Sequence, residues 1–161
     1  MPYPREEIEA VMERYVALRE AIDAGERVWT DLLEFYTDDA IYIDPAWGRV
    51  EGRAAIAEFM VESMLGLEDW LFPVEFVAIS GDDVAVKWLQ IVPGTKPDGS
   101  RWVQSGWSRL VYAGDGRFRY QEDMLNMSHV IEDMRASGWR PGPGFTPPPA
   151  TPDRDISIPG R

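Results

Sequence analysis

The chain has 161 residues, 45% of them hydrophobic, enough for one domain with a buried core and a tail. Its formal net charge is -12, with 16 Lys and Arg scattered among 28 Asp and Glu, so neither a phosphate-tracking face for nucleic acid nor attraction to an anionic membrane is expected. It has no cysteine, which excludes disulfides, thiolate nucleophiles and cysteine-ligated metals, and its carboxylates show no metal-ligand spacing.

The N-terminal residues Met1-Pro2-Tyr3-Pro4-Arg5 do not read as a signal peptide, and no apolar run approaches the ~20 residues of a membrane span, so a cytoplasmic protein is expected. From about Pro4 to Ala24, Ile8, Val11, Met12, Tyr15, Leu18 and Ile22 recur at helical spacing. Pro4 and the acids after it suit the helix start, and Gly25 marks the stop. Trp29, Leu32, Leu33 and Tyr36 predict a second, short helix, followed by a turn at Asp38-Asp39. A short strand is expected over Ala40 to Asp44, with Ala40, Tyr42 and Asp44 on one face and Ile41 and Ile43 on the other. Pro45 to Gly52 reads as a loop, and Arg53 to Leu65 as a third helix with Ile56, Phe59, Met60, Ser63 and Met64 inward.

The period then changes to that of strands, at Leu71–Ile79, Val84–Val92, Arg101–Ala113 and Arg117–Leu125. Ser80-Gly81-Asp82-Asp83 and Gly114-Asp115-Gly116 read as tight hairpin turns, and Pro93 to Ser100 as a protruding hairpin loop. Met127 to Ser137 predicts a last short helix. Helices first and a meander of long strands after them make an α+β domain: a cone-shaped, curved, mixed or antiparallel sheet wrapped around the N-terminal helices and enclosing an apolar pocket. The domain is expected over residues 1–138. Residues 139–161 hold over half of the 13 prolines and read as an extended or disordered tail that adds little to core stability.

Local motifs support that order of elements. Arg14-Tyr15-Val16-Ala17-Leu18, Asp38-Asp39-Ala40 and Asp44-Pro45-Ala46-Trp47-Gly48 resemble bacterial ketosteroid isomerases. Gly52-Arg53-Ala54-Ala55-Ile56 is similar to a helix opening shared across the nuclear transport factor 2-like superfamily. Glu122-Asp123-Met124-Leu125-Asn126 resembles SnoaL-like polyketide cyclases and limonene-epoxide-hydrolase-like proteins. The resemblance runs from about Glu6 to Gly138 and implies the fold more firmly than any one activity, since this superfamily hosts isomerases, cyclases, dehydratases, hydrolases and binders.

For Asp44 the resemblance implies a general base that shuttles a proton beside a carbonyl. An Asp-Pro pair is equally a turn starter whose carboxylate bonds nearby backbone N–H groups. For Tyr15 it implies a hydrogen-bond donor to the substrate oxyanion, against a core tyrosine bonded inside the fold. Ser108 falls where the isomerases carry their second oxyanion donor, an acid kept protonated by its apolar site, and serine is the weaker donor. Asp123 matches one of two water-activating aspartates of the epoxide hydrolases, but Lys87-Trp88-Leu89 puts leucine where their base would stand. The alternative is a structural or solvent-facing Asp123, a Lys87–Asp123 ion pair inside the pocket is a further option, and Glu122 should point away from Asp123. Tyr42, Trp47 and Phe59 are expected to contact the ligand, as are Trp88, Trp102, Ser108 and Leu125, since aromatic walls suit flat apolar molecules. His129 reads as an exposed or capping residue.

The expectation is a cofactor-independent acid–base enzyme, an isomerase, lyase or cyclase, acting on a carbonyl-bearing steroid, polyketide or terpenoid. The alternatives are a ligand-binding or interaction module and an epoxide hydrolase-like enzyme. Few, short helices cannot cover both faces of such strands, which predicts a homodimer through the outer sheet face.

Overall fold

The structure is a computed structural model and describes residues 2–161. Helix α1 spans Arg5–Asp23, a 3-10 helix follows at Trp29–Phe35, and α2 spans Arg53–Met64 and α3 Met127–Ser137. Six strands, β1 (Tyr36–Asp44), β2 (Gly48–Glu51), β3 (Val74–Ser80), β4 (Asp83–Thr95), β5 (Arg101–Gly114) and β6 (Arg117–Leu125), form one open mixed sheet in the order β2-β1-β6-β5-β4-β3. All neighbours are antiparallel except β1 and β6, which run parallel. The architecture is the α+β curved sheet with N-terminal helices that the sequence predicts.

Local chemistry explains the element ends. Glu6 and Glu7 lie in the first turn of α1, where the helix dipole favours negative charge, and Gly25 leaves the helix at φ 76°. Asn126 caps α3 by accepting the His129 N–H at 3.3 Å, and Gly138 closes it in the left-handed region. His129 is exposed, as its sequence context suggests.

Several expected boundaries shift. The second helix is 3-10 and stops at Phe35, while Tyr36 belongs to β1 with its hydroxyl donating to Gln121. Asp38-Asp39 is no turn: it lies inside β1, at an irregularity where the pairing with β6 shifts register. The expected loop over Pro45 to Gly52 contains β2, whose Gly48 pairs with Asp44 across a tight hairpin. β3 begins at Val74, and Leu71 makes an isolated bridge to Ile91. β4 runs through Pro93 to Thr95 at another register shift.

Strand parity sorts the side chains. On β4, residues 84, 86, 88, 90 and 92 are buried inward, alternating with more open neighbours. The main core joins this inner face to α1, the 3-10 helix and α2, around Ile8, Tyr15, Phe35, Ile56, Val86 and Leu110. Gly106 pairs with Trp88, and a Cβ there would stand 2.4 Å from the indole. That empty volume lets the Trp88 ring lie across β5.

The tail is extended and docks on its own chain. Trp139 meets Trp70 edge to face at 5.1 Å, and the Gly142 N–H bonds the Gly66 carbonyl at 3.0 Å. Further on, the Arg49 N–H bonds the Asp153 carbonyl at 2.9 Å, and the Arg49 guanidinium bonds the carbonyls of Asp155 and Ser157. Ile158 packs on a small outer-face cluster of Ile41, Ile43, Val111 and Tyr120. Gly48 is required where this strap passes: it has φ 80°, and a Cβ would lie 2.4 Å from the Asp153 carbonyl oxygen.

Candidate active site

Between the inner sheet face and the helices lies a cavity of about 360 Å³ with mainly apolar walls. The strands supply Tyr42, Asp44, Trp88, Asp123 and Leu125, α2 supplies Phe59, and Trp47 comes from the β1–β2 turn. α3 contributes Val130 and Met134, and the tail closes one side with Phe145, Thr146 and Pro148. The walls suit a flat apolar molecule, and the polar groups among them would set its orientation.

Asp44 ends β1 and reaches this cavity because it shares the inward face with Ala40 and Tyr42. Its Oδ1 accepts the backbone N–H groups of Ala46 and Trp47, both at 2.8 Å. The carboxylate therefore does form the Asp-Pro turn, and it does so with one oxygen. Oδ2 has no bond to the described residues and is left to the cavity. Burial pushes the Asp44 pKa up to about 6, helped by the nearby Asp123 charge and opposed by the two N–H donors.

Asp123 sits on β6, paired across to Ser108 on β5. A chain of donors converges on it. The Trp88 Nε1–H donates to Ser108 Oγ at 2.9 Å, and that hydroxyl donates to Asp123 Oδ1 at 2.6 Å. Gln121 donates to the same oxygen at 2.8 Å and to the Tyr42 hydroxyl at 3.1 Å, and Tyr42 in turn donates to Asp123 Oδ2. Followed to its end, each proton points at Asp123, so the network is built for a carboxylate that only accepts. Burial still raises its pKa, and the donors from Ser108, Tyr42 and Gln121 oppose that rise.

Other expected residues fall elsewhere. Tyr15 does not line the cavity: it is fully buried, its ring packs edge to face on Phe35 and Phe118, and its hydroxyl accepts from Arg19 at 3.3 Å. A ligand in the cavity meets Arg19 instead. Ser108 lies behind Asp123 and Trp88 rather than on the wall. Trp102 points inward on β5 but stands outside the cavity, with Lys96 over its ring at 5.2 Å. Lys87 faces outward and pairs with Glu75 at 3.3 Å, so no Lys87–Asp123 ion pair forms. Leu89 shares that outward parity, which leaves the β4 position of the hydrolase reading facing away from the cavity. Glu122 points to the outer face, where it accepts from Tyr120 at 3.2 Å, away from Asp123.

Arg19 is the residue that sequence reasoning missed. It lies on the apolar stripe of α1, four residues after Tyr15, where a charged residue interrupts a buried face. That interruption was the available signal. It is 5% exposed, donates to the Phe72 carbonyl at 3.0 Å, and stands over the rings of Trp29, Tyr15 and Trp88.

Helices folded over one face of an open sheet, with two carboxylates and a guanidinium on the wall of an apolar cavity, give the nuclear transport factor 2-like fold. Residues 12–121 match the SnoaL-like domain, and the chain belongs to that family. Among solved structures, a protein described as a SnoaL-like polyketide cyclase from Jannaschia sp. CCS1 is similar with a TM-score of 0.62 and 20% identity, over 78% of this chain and 92% of that one. TerC, co-crystallised with polyporic acid, gives a TM-score of 0.59 at 19% identity, over 78% of this chain and 98% of that one. A ketosteroid isomerase-like fold protein from Catenulispora acidiphila DSM 44928, in complex with trimethylamine, gives 0.54 at 19% identity, over 70% of this chain and 86% of that one. Comparison with curated proteins gives no significant match. No helix of the described residues is long and apolar enough to cross a membrane.

Proposed function

We propose that the protein is a cofactor-independent acid–base enzyme that moves a proton on a small, apolar, carbonyl-bearing molecule, by isomerisation, elimination or ring closure. The observation that carries this reading is the Asp44 carboxylate: one oxygen fixed by two backbone N–H groups, the other turned to an apolar cavity, with a pKa of about 6. A base near neutrality that stays ionised yet is poorly solvated fits abstraction of a proton next to a carbonyl. Asp123 is the second acidic residue of the site, its charge biasing Asp44 and its carboxylate orienting Tyr42. Tyr42, Trp47, Phe59, Trp88 and Leu125 form the contact wall for a steroid-, polyketide- or terpenoid-like skeleton. The names of several similar structures, described as polyketide cyclases, support this class of substrate.

The test needs no knowledge of the natural substrate. Tetralone, a small bicyclic ketone, is incubated with the protein in deuterated buffer, and exchange beside its carbonyl is followed by NMR. Exchange well above the buffer rate is expected. Binding of the ketone with exchange at the buffer rate would favour the ligand-binding module.

We further propose that the protein works as a homodimer through the outer sheet face. The register lines up Phe76, Lys87, Trp107 and Met124 in one row across β3, β4, β5 and β6. Phe76, Trp107 and Met124 are 50%, 43% and 58% exposed, and the tail does not cover them. Such a row is an apolar surface that a second copy would bury. Light scattering at micromolar concentration should give twice the 18.3 kDa chain mass. A monomeric mass would discard the dimer.

A further inference from the structure

The cavity contains one buried cation that no carboxylate contacts directly, although the charges of Asp123 and Asp23 act on it from a distance. Among the described residues Arg19 makes no ion pair, although its guanidinium is buried. Its two bonds go to neutral oxygens, the Tyr15 hydroxyl and the Phe72 carbonyl, and its Nε has no partner. A neutral donor would serve the Phe72 carbonyl equally well. A buried guanidinium is costly unless something on the site side uses its charge. A second buried donor on the same cavity is also orphaned: Trp70 Nε1. These are the two buried side-chain nitrogens or oxygens without a partner among the described residues, and both are donors on residues lining one cavity. Neither nitrogen is itself accessible, so what a ligand in the cavity can meet is the remaining N–H groups of the Arg19 guanidinium. The aromatic rings around Arg19 hold it in place and cannot neutralise it as a carboxylate would.

We propose that Arg19 is the oxyanion-binding residue of this cavity, and that its ligands carry, or acquire during reaction, a delocalised anionic oxygen, an enolate or a carboxylate. The inference rests on the acid–base reading of the same cavity and specifies the substrate class. In the proton-transfer step a C–H bond of the ligand breaks and its proton forms an O–H bond on Asp44. The electron pair left on carbon delocalises to the carbonyl oxygen, which becomes the enolate beside Arg19. Total charge in the cavity is unchanged: Asp44 loses its negative charge as the ligand oxygen gains one. Arg19 thus takes the place that the family resemblance implied for Tyr15, and Tyr15 positions it from behind.

The test is calorimetric titration at neutral pH with a pair of probes that differ in charge. One is a hydroxynaphthoquinone, an acidic enol present as its anion; the other is its neutral methyl ether. Naphthalene carboxylate and naphthyl methanol form a second pair that separates carboxylate from enolate recognition. Wild type should prefer at least one anion over its neutral partner by about tenfold or more, the scale of a hydrogen bond to a charged group. Arg19→Met keeps the length and apolar stem, should keep affinity for the neutral probes, and should lose the preference. A wild type that binds neither probe of either pair, or binds the neutral ones as tightly, overturns the proposal without any variant. So does a preference that survives in folded Arg19→Met. If Arg19→Met does not fold, Arg19→Lys serves, and a loss of the preference for the planar anions with charge retained supports the guanidinium fork. The preference should persist in Asp44→Asn, which separates the two readings: preference without ketone exchange fails the enzyme alone, and exchange without preference fails Arg19 alone.

Discussion

Asp44→Asn lowers ketone exchange by about 10²–10⁴, the range that a positioned general base supplies. The amide keeps the shape, and its oxygen still accepts the N–H groups of Ala46 and Trp47, so the β1–β2 turn survives. What disappears is the proton acceptor on the cavity side. The same substitution has a second, opposite signature in stability. A carboxyl group whose folded pKa is raised from 3.8 to about 6 binds its proton more tightly in the folded state. Its contribution is fully present below pH 3.8 and is lost as pH rises through about 6. Above that pH the ionised Asp44 weakens the fold, on the order of 3 kcal/mol. Asp44→Asn therefore melts above wild type at pH 8, with the gain shrinking toward zero near pH 4. A variant that loses exchange and gains stability at alkaline pH is the joint expectation. Full exchange in the variant would move the base assignment to Asp123, and a stability difference independent of pH would show that Asp44 is solvated.

Truncation after Trp139 lowers the melting temperature by about 5–10 °C, the shift expected for a net loss of about 2–3 kcal/mol in a chain of this size. Three kinds of contact go at once. Ile158 leaves the outer cluster of Ile41, Ile43, Val111 and Tyr120. The carbonyls of Asp153, Asp155 and Ser157 leave Arg49, whose side chain is largely buried beneath them. Phe145 leaves the cavity wall and exposes the apolar residues behind it. Because ordering 22 extended residues costs much of what these contacts supply, the net effect is smaller than the contact list suggests. Differential scanning fluorimetry on the two chains measures it. An unchanged melting temperature would return the tail to the passive appendage that its composition suggests.

That difference over the tail marks what sequence patterns can carry. Regular elements announce themselves through period, so α1, α2, β5 and β6 are readable to within a residue or two from Ile8, Tyr15, Phe59, Leu110 and Tyr120 alone. Docking without a period leaves no such trace. The strap is held by backbone carbonyls, which every sequence has, and by two glycines, Gly48 and Gly66, that read as turn residues from the chain alone. The site divides in the same way. Asp44 and Asp123 are legible through the motifs around them, and strand parity places Tyr42 on the same face as Asp44. Tyr15 and Arg19 share one face of α1, and their order of depth is a tertiary fact: Tyr15 lies under the guanidinium rather than in front of it. The β1 bulge at Asp38-Asp39 misreads as a turn because aspartate pairs favour both.

The parallel pairing of β1 with β6 also constrains how the molecule can be made. Tyr42 meets Gln121, its neighbour across the sheet, over 79 residues of chain. Synthesis from the N-terminus therefore delivers α1, the β1–β2 hairpin and α2 long before the strand that joins them to the meander. The last strand carries Asp123 as well as the edge that pairs with β1, so the hydrogen-bond network around Asp123 and the joining of β1 to the meander both wait for β6. Until then the apolar walls destined for the ligand stand open to water, and a nascent or truncated chain ending before Arg117 presents them to chaperones or to one another. A chain arranged this way keeps Asp44 waiting on β1 for an Asp123 that is brought to the same cavity only when β6 pairs beside it.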